Sequence, residues 1–229
     1  MNMQKIIALT LAVISLSAQA GVVLYGTRVI YPAEKRDIVV QVMNQGERSS
    51  LVQSWIDDGD TSRSPENIDV PFLLTPPVVK VAGNSGQQIK IKKMPNTLAQ
   101  DRESLFFLNV LSIPPNDAQN SSKNVIKFAL QNRIKLFWRP TGIAPVSRAS
   151  FRQISLSYTG REMVIKNDNA NWITLTDIKV NDVKVNGETV MLPPRAYQTI
   201  TLKNNNAPQY SLTIIDDHGN YISDRINVK

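Results

Sequence analysis

The sequence predicts an all-β fold of two immunoglobulin-like β-sandwich domains in tandem. Three observations carry that expectation. Short runs rich in Val, Ile, Leu and aromatic residues recur from Gly21 onward, each bounded by turn-forming residues. No long stretch repeats its apolar residues every 3.6 positions, as an amphipathic helix would. Each half of the chain holds about seven such runs, the strand count of an immunoglobulin-like sandwich.

Residues 1–20 read as a leader. Lys5 precedes the apolar run 6–16, and Ala18 and Ala20 supply small residues for a cut after Ala20. That is a secretory signal pattern, and its apolar run is too short to span a bilayer core of ~30 Å. The expected strands of the first half are 21–31, 37–43, 50–56, 72–81, 87–94, 104–113 and 124–138. Pro32, Asn44-Gln45-Gly46, 57–60, 83–86 and 114–117 separate them. Pro140-Thr141-Gly142 marks the boundary, giving a first domain over 21–140 and a second over 141–229. The second half offers runs at 154–158, 162–166, 172–180, 190–192, 197–202, 210–216 and 221–228. The two halves share architecture but no clear sequence repeat.

Composition narrows the function. The chain has 229 residues, 42% apolar and 20% charged, an ordinary globular balance. It has no cysteine, which excludes disulfides, thiolate metal sites and a cysteine nucleophile. His218 is the single histidine, so a multi-histidine metal site is excluded too. Gly-x-Ser-x-Gly, Walker and GxGxxG patterns are absent. Asp216-Asp217-His218-Gly219 reads as a turn at a strand end, not an acid–base site. The residues thus point to a protein that is not an enzyme and needs no metal or cofactor. Loss of Lys5 with the leader lowers the formal charge from +7 to +6. An exported chain meets little nucleic acid, so the charge points to acidic partners or to solubility. No later segment reaches ~18 apolar residues, and no stable membrane insertion is expected. Residues 90–93 (KIKK) read as a solvated basic face, and Trp55 and Trp138 as core residues.

Residues 124–138 (NVIKFALQNRIKLFW) stand apart. Ile126, Phe128, Leu130, Ile134, Leu136 and Trp138 alternate with Lys127, Gln131, Arg133 and Lys135, so one face is apolar and the other wet. Fifteen residues at ~3.3 Å each span about 50 Å, against ~17–20 Å for a usual strand. Three readings fit: a bent strand serving both sheets, two strands broken at Asn132-Arg133, or an exposed apolar edge. Natural proteins avoid such an edge because it templates pairing with other chains. Where one is kept, it suits strand addition to a client.

Residues 98–115 read LAQDRESLFFLNVLSIPP. This stretch resembles the signature of the PapD-like periplasmic pilus chaperones of Gram-negative bacteria. Asp101-Arg102-Glu103-Ser104, Asn109 and Ile113-Pro114-Pro115 carry the match. Residues 26–31 (GTRVIY), the Thr75-Pro76-Pro77 turn, which is buried in the family, and 134–140 (IKLFWRP) resemble further family segments. The second half matches more loosely, through Trp172 and 217–219. The resemblance implies two domains in a boomerang, or L-shaped, arrangement, with a client held at the cleft. It implies a periplasmic chaperone for fimbrial subunits that acts by donor-strand complementation and delivers them to an outer-membrane usher.

Residue by residue, the resemblance assigns Ile126, Phe128 and Leu130 to the client's groove, with Asn124 at its edge. It assigns Arg28 and Lys135 to the client's C-terminal carboxylate. Arg133 shares the parity of Lys135, but the motif match selects Lys135. Glu103, Arg139 and Asp217 match an interdomain salt-bridge set, with Asp216 competing for the third place. The short 115–124 loop and the lack of cysteine resemble the short-loop branch of the family. The alternative is a secreted two-domain adhesin or carbohydrate-binding module, which would not require Arg28, Lys135 and the 126/128/130 row together.

Overall fold

The computed structural model describes residues 21–115, 128–159, 162–202 and 207–229. The leader, Asn124 and Ile126 lie outside the described residues. The first sandwich contains β1 (Val22–Leu24), β2 (Arg28–Pro32), β3 (Asp37–Asn44), β4 (Ser50–Asp57), β5 (Phe72–Thr75), β6 (Val78–Val81), β7 (Ser85–Lys93), β8 (Ser104–Ile113) and β9 (Leu130–Arg139). One sheet runs β1-β3-β7-β5 and the other β2-β9-β8-β4-β6. Strict alternation in these strands sends one set of side chains inward. Tyr31, Val52, Leu108, Val110, Leu136 and Trp138 fill the core between the sheets. Tyr31 stacks on Trp138 with ring centroids 5.4 Å apart. Its hydroxyl donates to the Arg36 carbonyl at 2.8 Å and accepts from the Lys93 N–H at 2.9 Å, so the buried phenol is satisfied.

The second sandwich contains β10 (Ile154–Thr159), β11 (Glu162–Asn167), β12 (Ile173–Val180), β13 (Val183–Lys184), β14 (Val190–Leu192), β15 (Ala196–Thr201), β16 (Gln209–Ile215) and β17 (Tyr221–Asn227). Its sheets run β10-β11-β15 and β13-β12-β16-β17, with β14 also paired to β12. Leu156, Ile165, Leu175, Tyr210, Leu212 and Ile214 form a separate core. A short 3-10 helix, Arg148–Gln153, enters this sandwich, capped by the Ser147 side chain. The strand pattern gave no sign of that helix.

Several expectations are corrected. The single strand expected over 21–31 is two strands, β1 and β2, which belong to opposite sheets. Gly26 sits between them at φ +102°, a conformation that glycine adopts without a Cβ penalty. The run 72–81 is likewise two strands in opposite sheets, because Pro76 and Pro77 supply no N–H to a ladder. Thr75 and Pro77 are exposed, not buried. Trp55 is half-buried and lies outside the core cluster. It points to the outer side of its sheet, opposite Asn109.

The strand expected over 124–138 is described from Leu130 to Arg139. Its ten residues cover about 33 Å. It stays in one sheet and pairs with β8 without interruption, from Ser112↔Leu130 to Ser104↔Trp138. A bend between sheets and a break at Asn132-Arg133 are thereby removed. The expected wet face is also corrected at one end, since Phe137 and Arg139 are as buried as Leu136 and Trp138.

Leu136 is fully buried at the centre of the first core. Leu136→Ala is expected to cost ~2–5 kcal/mol through lost burial and a cavity. Urea unfolding measures it, with exposed Lys90→Ala as a control expected to stay within about 0.5 kcal/mol of wild type.

Candidate functional site

The outward side chains of β9 are Arg133, Lys135, Phe137 and Arg139, by alternation from the core residues Leu136 and Trp138. What each cation meets differs. Arg133 is paired. Its Nη2 donates to Asp57 Oδ1 at 2.6 Å and its Nε to Asp57 Oδ2 at 3.2 Å. The guanidinium also lies 3.7 Å from the Phe107 ring centroid. Asp57 accepts further bonds from Asn109 Nδ2 and from the Gly59 N–H at 2.8 Å. Gln131 Nε2 in turn donates to Asn109 Oδ1 at 2.8 Å. Burial works to raise the Asp57 carboxyl, but the bonds from Arg133, Asn109 and Gly59 prevail and hold it below the usual carboxylate range. Sequence reasoning did not find this cluster. Asp57 and Arg133 are 76 positions apart, and only the β4–β8–β9 register brings them together.

Arg139, 8% exposed, is paired twice. Its Nε donates to Glu103 Oε1 at 2.6 Å, and its Nη2 to Asp217 Oδ1 at 2.8 Å. Glu103 reaches the second sandwich as well. Its Oε2 accepts the Trp172 N–H at 2.8 Å, its Oε1 accepts Asn171 Nδ2 at 3.2 Å, and its own N–H donates to the Ala170 carbonyl at 2.8 Å. Burial pushes the Glu103 carboxyl up, while Arg139, the Trp172 N–H and Asn171 pull it back. The choice between Asp216 and Asp217 is now physical. Asp216 accepts the N–H groups of His218 and Asn220 and closes the turn, leaving Asp217 for Arg139.

The Lys135 side chain lies between these two clusters, and its ammonium makes no ion pair or hydrogen bond among the described residues. Opposite it in register stands Arg28, the first residue of β2. Arg28 Nη1 donates to the Ile215 carbonyl of the second sandwich at 3.3 Å, and its guanidinium lies 5.9 Å from the Phe137 ring centroid. Its Nε is buried without a partner. Burial lowers the Lys135 ammonium below the ordinary lysine value, and the Arg28 charge lowers it further. Two half-buried cations thus sit side by side with donors unused. An anion placed there would accept charge-assisted hydrogen bonds from both.

The backbone beside them is also unfinished. β2 pairs in parallel with Lys135–Arg139 and goes no further toward the start of β9. From Leu130 to Ile134, β9 is bonded to β8 on one side and to no strand on the other, among the described residues. Leu130 is 58% exposed and Phe128 83%. Of the groove row, these two are described, and both present apolar surface to solvent.

A signature stretch, two sandwiches and an open edge ending at a cation pair are a specific combination. The N-terminal domain model of the pili and flagellar-assembly chaperone PapD matches residues 21–144, and the C-terminal domain model of the pili assembly chaperone PapD matches 149–226. The chain belongs to the PapD family of pilus-assembly chaperones. The chaperone is 58% identical over 225 residues to the probable fimbrial chaperone YehC of Escherichia coli K12, covering 98% of this chain and 94% of that protein. Its structure is similar to the CupB2 chaperone of Pseudomonas aeruginosa, with a TM-score of 0.78 and 26% identity over 90% of this chain and all of that one. It is also similar to a solved complex of Salmonella enterica SafA pilin with the SafB chaperone, with a TM-score of 0.78 and 25% identity over 91% of this chain and 96% of that one. Among the described residues, no helix of the chaperone is long and apolar enough to cross a membrane, and no three acidic or histidine side chains cluster as a metal site.

The Asp57 cluster makes a pH prediction. A carboxyl held below its ordinary value stabilises the fold above that value, and the stabilisation is lost as pH falls through the depressed one. Wild type is expected to lose urea resistance steeply below about pH 4. Asp57→Asn is expected to be less stable at neutral pH and flatter across the acid limb. Equal slopes for the two proteins would remove Asp57 as the cause.

Proposed function

We propose that the chaperone holds fimbrial subunits by adding its own strand to them and binding their C-terminal carboxylate at Arg28 and Lys135. The observation that carries this is the half-buried cation pair, left without a carboxylate at the end of an unpaired strand edge. An extended segment laid along Leu130–Ile134 takes the place in the sheet that β2 leaves empty. With its carboxylate at Lys135, that segment runs parallel to β9. The apolar row Ile126, Phe128 and Leu130 then fills the client's groove, with Asn124 at its rim. Burying three such side chains contributes roughly 5–9 kcal/mol before the ordering costs of association. The cation pair fixes register, since a one-residue slip would turn the apolar row the wrong way.

The same proposal places the chaperone in the periplasm, exported by residues 1–20 with cleavage after Ala20, and passing its subunits to an outer-membrane usher. It divides the mature chain into domains over 21–140 and 141–229. Arg139, shared between Glu103 and Asp217, sets the angle between them. Buried ion networks are poor sources of net stability, and fixing one arrangement is their better-attested use.

The test is a tagged pull-down from periplasm expressing the matching fimbrial operon, comparing wild type with Lys135→Ala. Wild type is expected to retain small fimbrial subunits and the folded variant to lose them. Absence of subunits from both would sink the chaperone–client reading for this operon; equal retention would remove Lys135 from the anchor. Binding also carries a proton signature. A carboxylate at Lys135 raises its depressed pKa, so above the free-state value binding requires proton uptake. Affinity for a peptide with a free C-terminus is therefore expected to hold near neutrality and to weaken as pH rises toward the lysine range, whereas Lys135→Ala shows no such loss.

A further inference from the structure

The cation pair belongs to the first sandwich, but the wall facing it comes from the second. Arg28 is hydrogen-bonded to the carbonyl of Ile215, the last residue of β16. Tyr221, the first residue of β17, is the cross-strand partner of Ile215, so the two side chains share one face of their sheet. That face is the outer one, since the adjacent Ile214 belongs to the core of the second sandwich. Tyr221 is 69% exposed, a large ring held in solvent. The carboxylates close by, Asp216 and Asp217, are engaged in the turn and with Arg139. The floor beneath Arg28 is the buried Phe137 ring. What remains for an incoming terminus is thus a pair of cations with an apolar surround of Phe137, Ile215 and Tyr221.

We propose that Tyr221 is a specificity-determining residue, packing against the side chain of the client's last residue and favouring an aromatic one. This rests on the reading that Arg28 and Lys135 bind the client's C-terminal carboxylate. A carboxylate drawn to both cations leaves its own residue's side chain beside the second sandwich, where Tyr221 is the exposed ring. Aromatic pairs gain beyond simple burial, and the gain corresponds to about five-fold in affinity.

The experiment uses the full mature chaperone and three ten-residue peptides of alternating Thr and Val. One ends in Phe with a free carboxylate, one in Ala with a free carboxylate, and one in Phe as the amide. Binding is measured by calorimetry for wild type, Tyr221→Ala, Tyr221→Phe and Lys135→Ala. Wild type is expected to prefer the Phe-ended acid to the Ala-ended acid by about five-fold. Tyr221→Ala is expected to erase that preference and Tyr221→Phe to keep it. A preference unchanged in Tyr221→Ala, with the amide still bound poorly, overturns the role of Tyr221 and leaves the anchor standing. If the amide binds as well as the acid and Lys135→Ala has no effect, the anchor itself fails and the inference falls with it.

Discussion

The junction of the two sandwiches is built around the buried guanidinium of Arg139. It is the last residue of β9, so its position is fixed by the first sandwich's own ladder. Its partners lie on either side of the junction, Glu103 just before β8 and Asp217 just after β16. Glu103 then accepts two bonds from the segment before β12, and Asp217 accepts the Val146 N–H at 3.3 Å. Every polar group in this set is matched by another whose location comes from a different segment of the chain. Removing Arg139 would leave two carboxylates facing each other in a partly dry junction, a costly state. On the proposed reading, the network discriminates among arrangements of the two sandwiches even where its net stabilisation is small. The Arg28–Ile215 hydrogen bond is set by that same arrangement.

What sets β9 apart is the pattern of matched and unmatched charge along one face. Three cations stand at Arg133, Lys135 and Arg139. Two have carboxylates built in from neighbouring elements, Asp57 for the first and Glu103 with Asp217 for the last. Lys135 is distinguished by what its neighbours have and it lacks. Arg28 beside it adds a second positive charge instead of neutralising the first. A surface with matched charges resists nonspecific partners, and a single unmatched pair within it gives specificity to one anion.

The strand pattern made most of this legible. Alternation named the sandwich class and the apolar row of the long strand, and the family resemblance of 98–115, 26–31 and 134–140 led to Glu103, Arg28, Lys135 and Arg139. The errors share a cause. A run of β-forming residues says nothing about which sheet each part joins, so 21–31 and 72–81 read as single strands until Gly26 and Pro76-Pro77 revealed crossings. Parity likewise foretold a wet outer face on β9. It had no means of knowing that Arg28 would lie over Phe137 or that Asp217 of the second sandwich would meet Arg139 there. The Asp57–Arg133 pair was hidden because its parts converge only through two successive strand registers. Tyr221 was hidden for the same reason, being one aromatic among several until β16 and β17 were paired.

The parallel pairing of β2 with β9 has a consequence for timing. It ends at Arg28 and Lys135, so on the proposed reading an added strand would reach the cations with its final residue. A main-chain carboxylate occurs once in a polypeptide, and only after synthesis has finished. A site built on that group registers completion: internal segments with the same apolar pattern have a neutral amide where the charge is needed. In the proposed mode of binding, a partial chain would meet an edge it can touch but not lock, and the first chain to be captured firmly would be a whole one.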